Sequence, residues 1–267
     1  MKRTFILLAF TLTIIGCSSN DDSAPEDNNV STTDYLPLTT SNYWTYDVES
    51  EFESGSDSLY IPGDTVIAGN TYKKFKTDEL PYGFFSNSLS NNGVRKQGDR
   101  LLLTGTAELP FSEDFPLSIA LENFTILKEN AANGDILSTK SGVIQQPYDG
   151  YTINFIYTLT AMAKADIASY TAPNGEIYAN VKPVEMKLNL KVTADLFAEQ
   201  NTITAIIMQP QDVVISTQYF AELTGVVHTV TDLNYQLSDL SMFNVTLPIP
   251  QTGSEHKVEV LTGYVAE

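Results

Sequence analysis

Polar and apolar positions alternate with a period of two over most of this chain, and few windows show a helical period. Trp44, Tyr46, Val48 and Phe52 alternate with Thr45, Asp47, Glu49, Glu51 and Glu53. Successive side chains of a strand point to opposite faces, so this stretch predicts a half-buried strand with an acidic outer face. Gly69-Asn70, between Thr65–Ala68 and Thr71–Phe75, predicts a hairpin turn. Gly98-Asp99 predicts a second, and Asn133-Gly134 a third between strand-like Ile119–Leu127 and Ile136–Ile144. Two longer stretches follow. Tyr151, Ile153, Phe155, Tyr157 and Leu159 share one face of the first; Val184, Met186, Leu188, Leu190 and Val192 share one face of the second. Both exceed the usual strand of ~5–6 residues. Long strands with one apolar face suit a strongly twisted sheet wrapped around a core. Asp195–Gln200 reads as one helical turn. Further strands are predicted near Thr202–Met208, Val213–Phe220, Val226–Val230, Tyr235–Leu237, Met242–Leu247 and Lys257–Val265. The expected fold is mainly β: a strongly curved antiparallel sheet, a barrel or half-barrel, with little helix.

The first residues break this pattern. Lys2 and Arg3 precede an almost wholly apolar run from Phe5 to Ile15, too short to span a bilayer as a helix, which needs ~20 residues. Small Gly16 then precedes Cys17, the only cysteine. Ile14-Ile15-Gly16-Cys17 resembles the lipobox of bacterial lipoproteins. That resemblance implies a signal peptide over 1–16, a diacylglyceryl group on the Cys17 thiol and an acylated new N-terminus. Two or three acyl chains anchor stably, since each buried CH₂ contributes ~0.8 kcal/mol and one chain alone is marginal. Residues 17–34 then read as the lipidated cysteine and a disordered acidic tether, because Ser18 to Asn29 carries much Ser, Asn and acid and no apolar periodicity. Residues 35–267 read as a single all-β domain.

Charge narrows the partners. Removing Lys2 and Arg3 from the 15 basic residues leaves 13 against 33 acidic ones, a formal charge of −20. Such a surface excludes nucleic acid as an expected partner, because a phosphate backbone needs basic residues. It also repels anionic headgroups, so the membrane is expected as a partner only through the lipid on Cys17. Position 4 to position 72 holds no basic residue, whereas six of the 13 lie between Lys73 and Arg100. The hairpins there are expected to face the acidic first strand, since charges on a sheet usually pair or solvate.

Short motifs carry a second resemblance. Leu36-Pro37-Leu38 with Asn42-Tyr43-Trp44-Thr45-Tyr46, then Gly63-Asp64-Thr65 and Gly69-Asn70-Thr71-Tyr72, resemble the start of a group of Bacteroidota-type outer-membrane lipoproteins to which no chemistry is assigned. Ser41 stands where that group tends to carry Gly. Pro173–Tyr178 with Val181, and Gln218–Val227, are similar to later segments of the group. The resemblance implies a curved antiparallel sheet, location at the outer membrane and often display on the cell surface.

Candidate chemistry is sparse. His228 and His256 are the only histidines, and no Cys or second His lies at metal-ligand spacing. No nucleophile elbow or Gly-rich phosphate loop occurs. No cofactor or metal is expected. A carboxylate pair, as in glycosidases, stays open among 33 acids. Pro110–Pro116 reads as an aromatic loop on the rim. The expected function is that of a non-enzymatic binding or surface-interaction module for an apolar small molecule, a glycan or a protein. One alternative is a carrier holding an apolar ligand on a concave face built by Tyr151, Ile153, Phe155, Tyr157, Met186, Leu188 and Leu190. A weaker one is a hydrolase using paired carboxylates.

Overall fold

The computed structural model describes residues 33–109, 117–198, 201–239 and 249–267. Cys17, residues 18–32 of the expected tether, the Pro110–Pro116 loop and the strand expected at Met242–Leu247 lie outside the described residues, whereas Thr33 and Asp34, also expected in the tether, are bonded to the domain. The described residues form thirteen strands and one short helix. They are β1 (Tyr43–Ser50), β2 (Ser54–Ile67), β3 (Asn70–Thr77), α1 (Phe84–Leu89), β4 (Gly93–Gln97), β5 (Arg100–Leu109), β6 (Leu117–Lys128), β7 (Ile136–Tyr148), β8 (Tyr151–Ala163), β9 (Ile167–Thr171), β10 (Ile177–Ala198), β11 (Asn201–Ala221), β12 (Gly225–Gln236) and β13 (Thr252–Val265).

Every pairing is antiparallel, and apart from β9 each strand lies beside its neighbours in sequence. The ends of the chain zip together: β1 pairs with β13 from Tyr43↔Val265 to Ser50↔Lys257. The open edges are therefore in mid-chain, at β6 and β7. There the Thr125 N–H donates to Ser138 Oγ at 2.8 Å. The result is an up-and-down barrel of 12 strands, nearly closed, with β9 attached outside the ring to β10.

Several expectations need correction in detail. β1 ends at Ser50, so Phe52 is 76 % exposed rather than part of the core. The first hairpin turns at Ala68-Gly69, with φ of 48° and 80°, and Asn70 opens β3. Positive φ at both central residues matches the right-handed twist of the flanking strands. Asp195–Ala198, expected within a helical turn, belongs instead to β10, which runs to Ala198; β11 starts at Asn201. Thr204 Oγ1 donates to Asp195 Oδ1 at 2.9 Å, a cross-strand bond on this hairpin. The two strands expected over 202–220 are one, which absorbs Pro210 where the register slips between Leu190 and Val192. A bulge tolerates a residue that lacks the ladder N–H. The basic residues of 73–100 do not face β1. Lys73 pairs with Asp64 at 2.6 Å, Lys96 with Glu129 at 2.8 Å, and the Arg95 guanidinium lies over the Tyr72 ring. Ser41 has φ of 78°, the left-handed region that glycine favours.

Side chains fill a barrel of about eight strands, so a ring of this size needs more than its own walls to fill it. Here α1 enters the lumen. Phe85, Ser86 and Leu89 are buried, and Phe85 meets Tyr46 and Phe220 edge-on at 5.9 and 6.4 Å. Asn92 ties the exit of α1 to the wall, donating to Ser88 O and Thr106 O and accepting from the Thr106 N–H. Residues 34–42 seal one end. Leu36 is fully buried, the Leu223 N–H donates to Asp34 O at 2.6 Å, and Trp44 Nε1–H donates to Thr224 O at 2.6 Å. Gly225, at φ 108°, keeps that end tight: a Cβ there would stand 2.8 Å from Trp44 Nε1.

Candidate functional site

Among the described residues, nothing fills the opposite end of the barrel. The chain between β3 and α1 folds over it, and two carboxylates from the barrel wall hold that segment. Asp57 on β2 accepts from the Tyr82 N–H at 2.9 Å and the Gly83 N–H at 2.8 Å. Glu259 on β13 accepts from the Phe85 N–H at 2.7 Å, and from the Ser86 N–H and Oγ at 3.3 Å each. The first N–H groups of a helix have no partner within it. Gly83, at the N-cap, supplies no side-chain bond, so Glu259 does this from across the lumen. Burial pushes the Glu259 carboxyl up to about 7; nearby Asp57 adds to this, while the bonds from Phe85 and Ser86 oppose it. A Cβ on Gly83 would stand 2.1 Å from Glu259 Oε2, so only glycine lets the carboxylate approach.

Beside this segment lies a cavity of about 540 Å³. Leu80, Pro81, Tyr82, Gly83, Phe84 and Asn87 form one side; Leu117, Leu188, Val213, Val214, Thr231 and Leu233 form the wall. Glu53, Glu255 and Lys257 complete it. Lys257 Nζ lies 2.9 Å from Glu53 Oε1 and 3.3 Å from Glu255 Oε1, and donates to Tyr82 O at 2.8 Å. Burial lowers the Lys257 pKa, but the bonds and charges of Glu53 and Glu255 outweigh it and leave it raised, so the ammonium stays charged. Leu80 is 86 % exposed, placing apolar surface at the mouth.

Of the residues expected on the concave face, Leu188 lines this cavity. Ile153, Phe155, Tyr157, Met186 and Leu190 face the same lumen but are packed into the core, and Tyr151 is half-buried at the β7–β8 turn. Sequence reasoning missed Leu80–Phe84 and the β12–β13 contribution. The missed signal was parity: Glu255, Lys257 and Glu259 share a face with buried Leu261, which puts three charges inside.

His228 belongs to a separate cluster on the outer face. It pairs with Tyr219 across β11–β12, the two rings stacked at 5.2 Å, and Tyr170 of β9 stacks on Tyr219 at 4.6 Å. The Tyr170 hydroxyl meets His228 Nδ1. Burial pushes the imidazole down to about 4. Asn174 Nδ2 donates to Leu261 O at 3.0 Å, so the β9–β10 turn is clasped onto β13 over this cluster. Compared with protein-family models, with curated proteins and with solved structures, the chain finds no match.

Proposed function

We propose that this chain is a lipid-anchored binding protein of the outer membrane that holds a small, largely apolar molecule in the mouth of its barrel, with Cys17 as the lipid attachment point. The observation that carries the reading is the apolar-lined cavity of about 540 Å³, within the ~300–1,000 Å³ usual for small-molecule sites. Its apolar walls are set by strands, and the segment over it is held by N–H hydrogen bonds that Asp57 and Glu259 accept, so the site is pre-formed. The anchoring half of the reading rests on the lipobox-like Ile14–Cys17 sequence alone.

The hydrolase alternative draws little support from the inward acids. All four oxygens of Asp57 and Glu259 receive N–H bonds from the segment at the start of α1. Glu53 and Glu255 are engaged by one shared ammonium, the arrangement of a charge clamp rather than of an acid and a base.

Native mass spectrometry of the chain lacking residues 1–17, purified from its own host, tests the binding half. Removing those residues leaves every described contact in place. A retained apolar molecule, displaced by Leu233→Trp, is the expected result. A clean apo mass together with no uptake of an uncharged apolar dye would overturn it. For the anchor, Cys17→Ser is expected to move the full-length protein from the membrane to the soluble fraction and to abolish palmitate labelling.

A further inference from the structure

Resting on that reading, we infer that the ligand's polar end is a hydrogen-bond donor, an amine or a hydroxyl on an apolar body, and not a carboxylate or phosphate. Among the described residues the one cation at the cavity mouth is Lys257, and an ammonium has three N–H groups. Its three neighbours are Glu53 Oε1 at 2.9 Å, Glu255 Oε1 at 3.3 Å and the Tyr82 carbonyl at 2.8 Å. Lys257 therefore has no N–H left for an anionic headgroup. The acceptors are in excess: among the described residues, nothing donates to Oε2 of Glu53 or of Glu255. Thr231 Oγ1 is already paired with Ser216 Oγ at 2.8 Å.

Charge leads to the same place. Two carboxylates and one ammonium give the mouth a net charge of −1. The lysine side chain is 15 % exposed, Glu255 26 % and Glu53 46 %, so the unpaired carboxylate oxygens lie on the solvent side of the cation. An incoming anion meets them first. Inserting it would require removing a glutamate from Lys257. An ammonium or hydroxyl instead finds acceptors ready, with its apolar part against Leu188, Val213, Val214 and Phe84. Like charge at a partly desolvated site disfavours a ligand, and complementary charge selects for it.

The test is a matched series on the chain lacking residues 1–17. N-phenyl-1-naphthylamine, which is uncharged, first reports occupancy of the apolar cavity by fluorescence. Dodecylammonium, dodecanol and dodecanoate, below their critical micelle concentrations, then compete for it. The expected order of affinity is ammonium, then alcohol, then carboxylate, with the ends of the series about tenfold apart or more at low salt. The gap narrows as salt rises, because the mouth is partly exposed. In Glu53→Gln/Glu255→Gln, which frees Lys257, the order inverts, each competitor being measured against the variant's own naphthylamine affinity. Carboxylate binding as well as or better than ammonium in the unmodified chain overturns the inference and leaves the binding reading intact. Failure of every probe, the naphthylamine included, overturns both.

Discussion

Glu259 accepts the backbone N–H of Phe85 at 2.7 Å, across 174 residues of sequence. One carboxylate from the last strand thus ends the unpaired start of a helix that lies inside the barrel. The bond sits behind the cavity wall formed by Tyr82 to Phe84. It fixes where the plug stops and the cavity begins.

The pH dependence of stability follows from two buried groups of opposite sign. Burial raises Glu259 from 4.5 to about 7, so between those values the folded chain holds a proton that the unfolded chain has released. Stability from this group therefore falls as pH rises through that window. Burial lowers His228 from 6.5 to about 4, so there the unfolded chain binds the extra proton and stability falls as pH drops. The windows overlap and the two slopes oppose each other. Glu259→Gln should expose a loss of stability toward acid, and His228→Phe a loss toward neutral pH, each of about 2–3 kcal/mol across its window. Urea midpoints from pH 4 to 8 measure both; slopes unchanged in the two variants would refute the assignment.

Gly83→Ala places a Cβ where the Glu259 carboxylate now sits. The carboxylate must withdraw from the Phe85 and Ser86 N–H groups while remaining buried. A loss of about 2–3 kcal/mol is expected by chemical denaturation. Naphthylamine affinity should fall with it, since Tyr82, Gly83 and Phe84 all line the cavity.

Leu233→Trp tests the cavity by filling it. Leu233 is half-buried on the wall, next in the β12 alternation to Thr231. An indole there is expected to take up cavity space. Dye binding is expected to drop about tenfold or more while the thermal midpoint moves by only a few degrees. An unchanged dye affinity would place the bound dye elsewhere.

Ser41→Gly is expected to stabilise the protein. Ser41 holds φ 78° where the chain turns into β1, and its N–H donates to Ile61 O at 2.9 Å, so the conformation is locked. A non-glycine residue in that region costs about 1 kcal/mol or more, offset partly by the greater freedom glycine has when unfolded. A gain of about 0.5–1 kcal/mol in denaturant would agree with this; a loss would show that the Ser41 side chain contributes more than its backbone costs.

Most of the β architecture was legible in the sequence, because a period of two needs only local information. Tyr151–Leu159 and Val184–Val192 alternate cleanly, and the structure buries those faces against the lumen. The hairpin at Gly98-Asp99 was legible for the same reason: two turn residues between two β-prone runs decide the chain reversal locally, and Gln97 pairs with Arg100. Alternation cannot say which face is inside when both faces carry apolar residues. On β13, Val258 and Val260 would read as the core face, yet Glu255, Lys257, Glu259 and Leu261 point inward. That choice depends on what the lumen holds: the N-terminus of α1 requires acceptors there, and the two nearby glutamates require Lys257. Phe84-Phe85-Ser86-Asn87-Ser88-Leu89 is likewise too short to announce a helix, which nucleates poorly alone and persists here through Glu259 and the packing of Phe85. By itself, then, the sequence determined strands, turns and the acidic character of the surface. Only the tertiary structure decided the ring closure of β1 on β13, the plug and the cavity, because each depends on groups that meet across about 170 residues or more of chain.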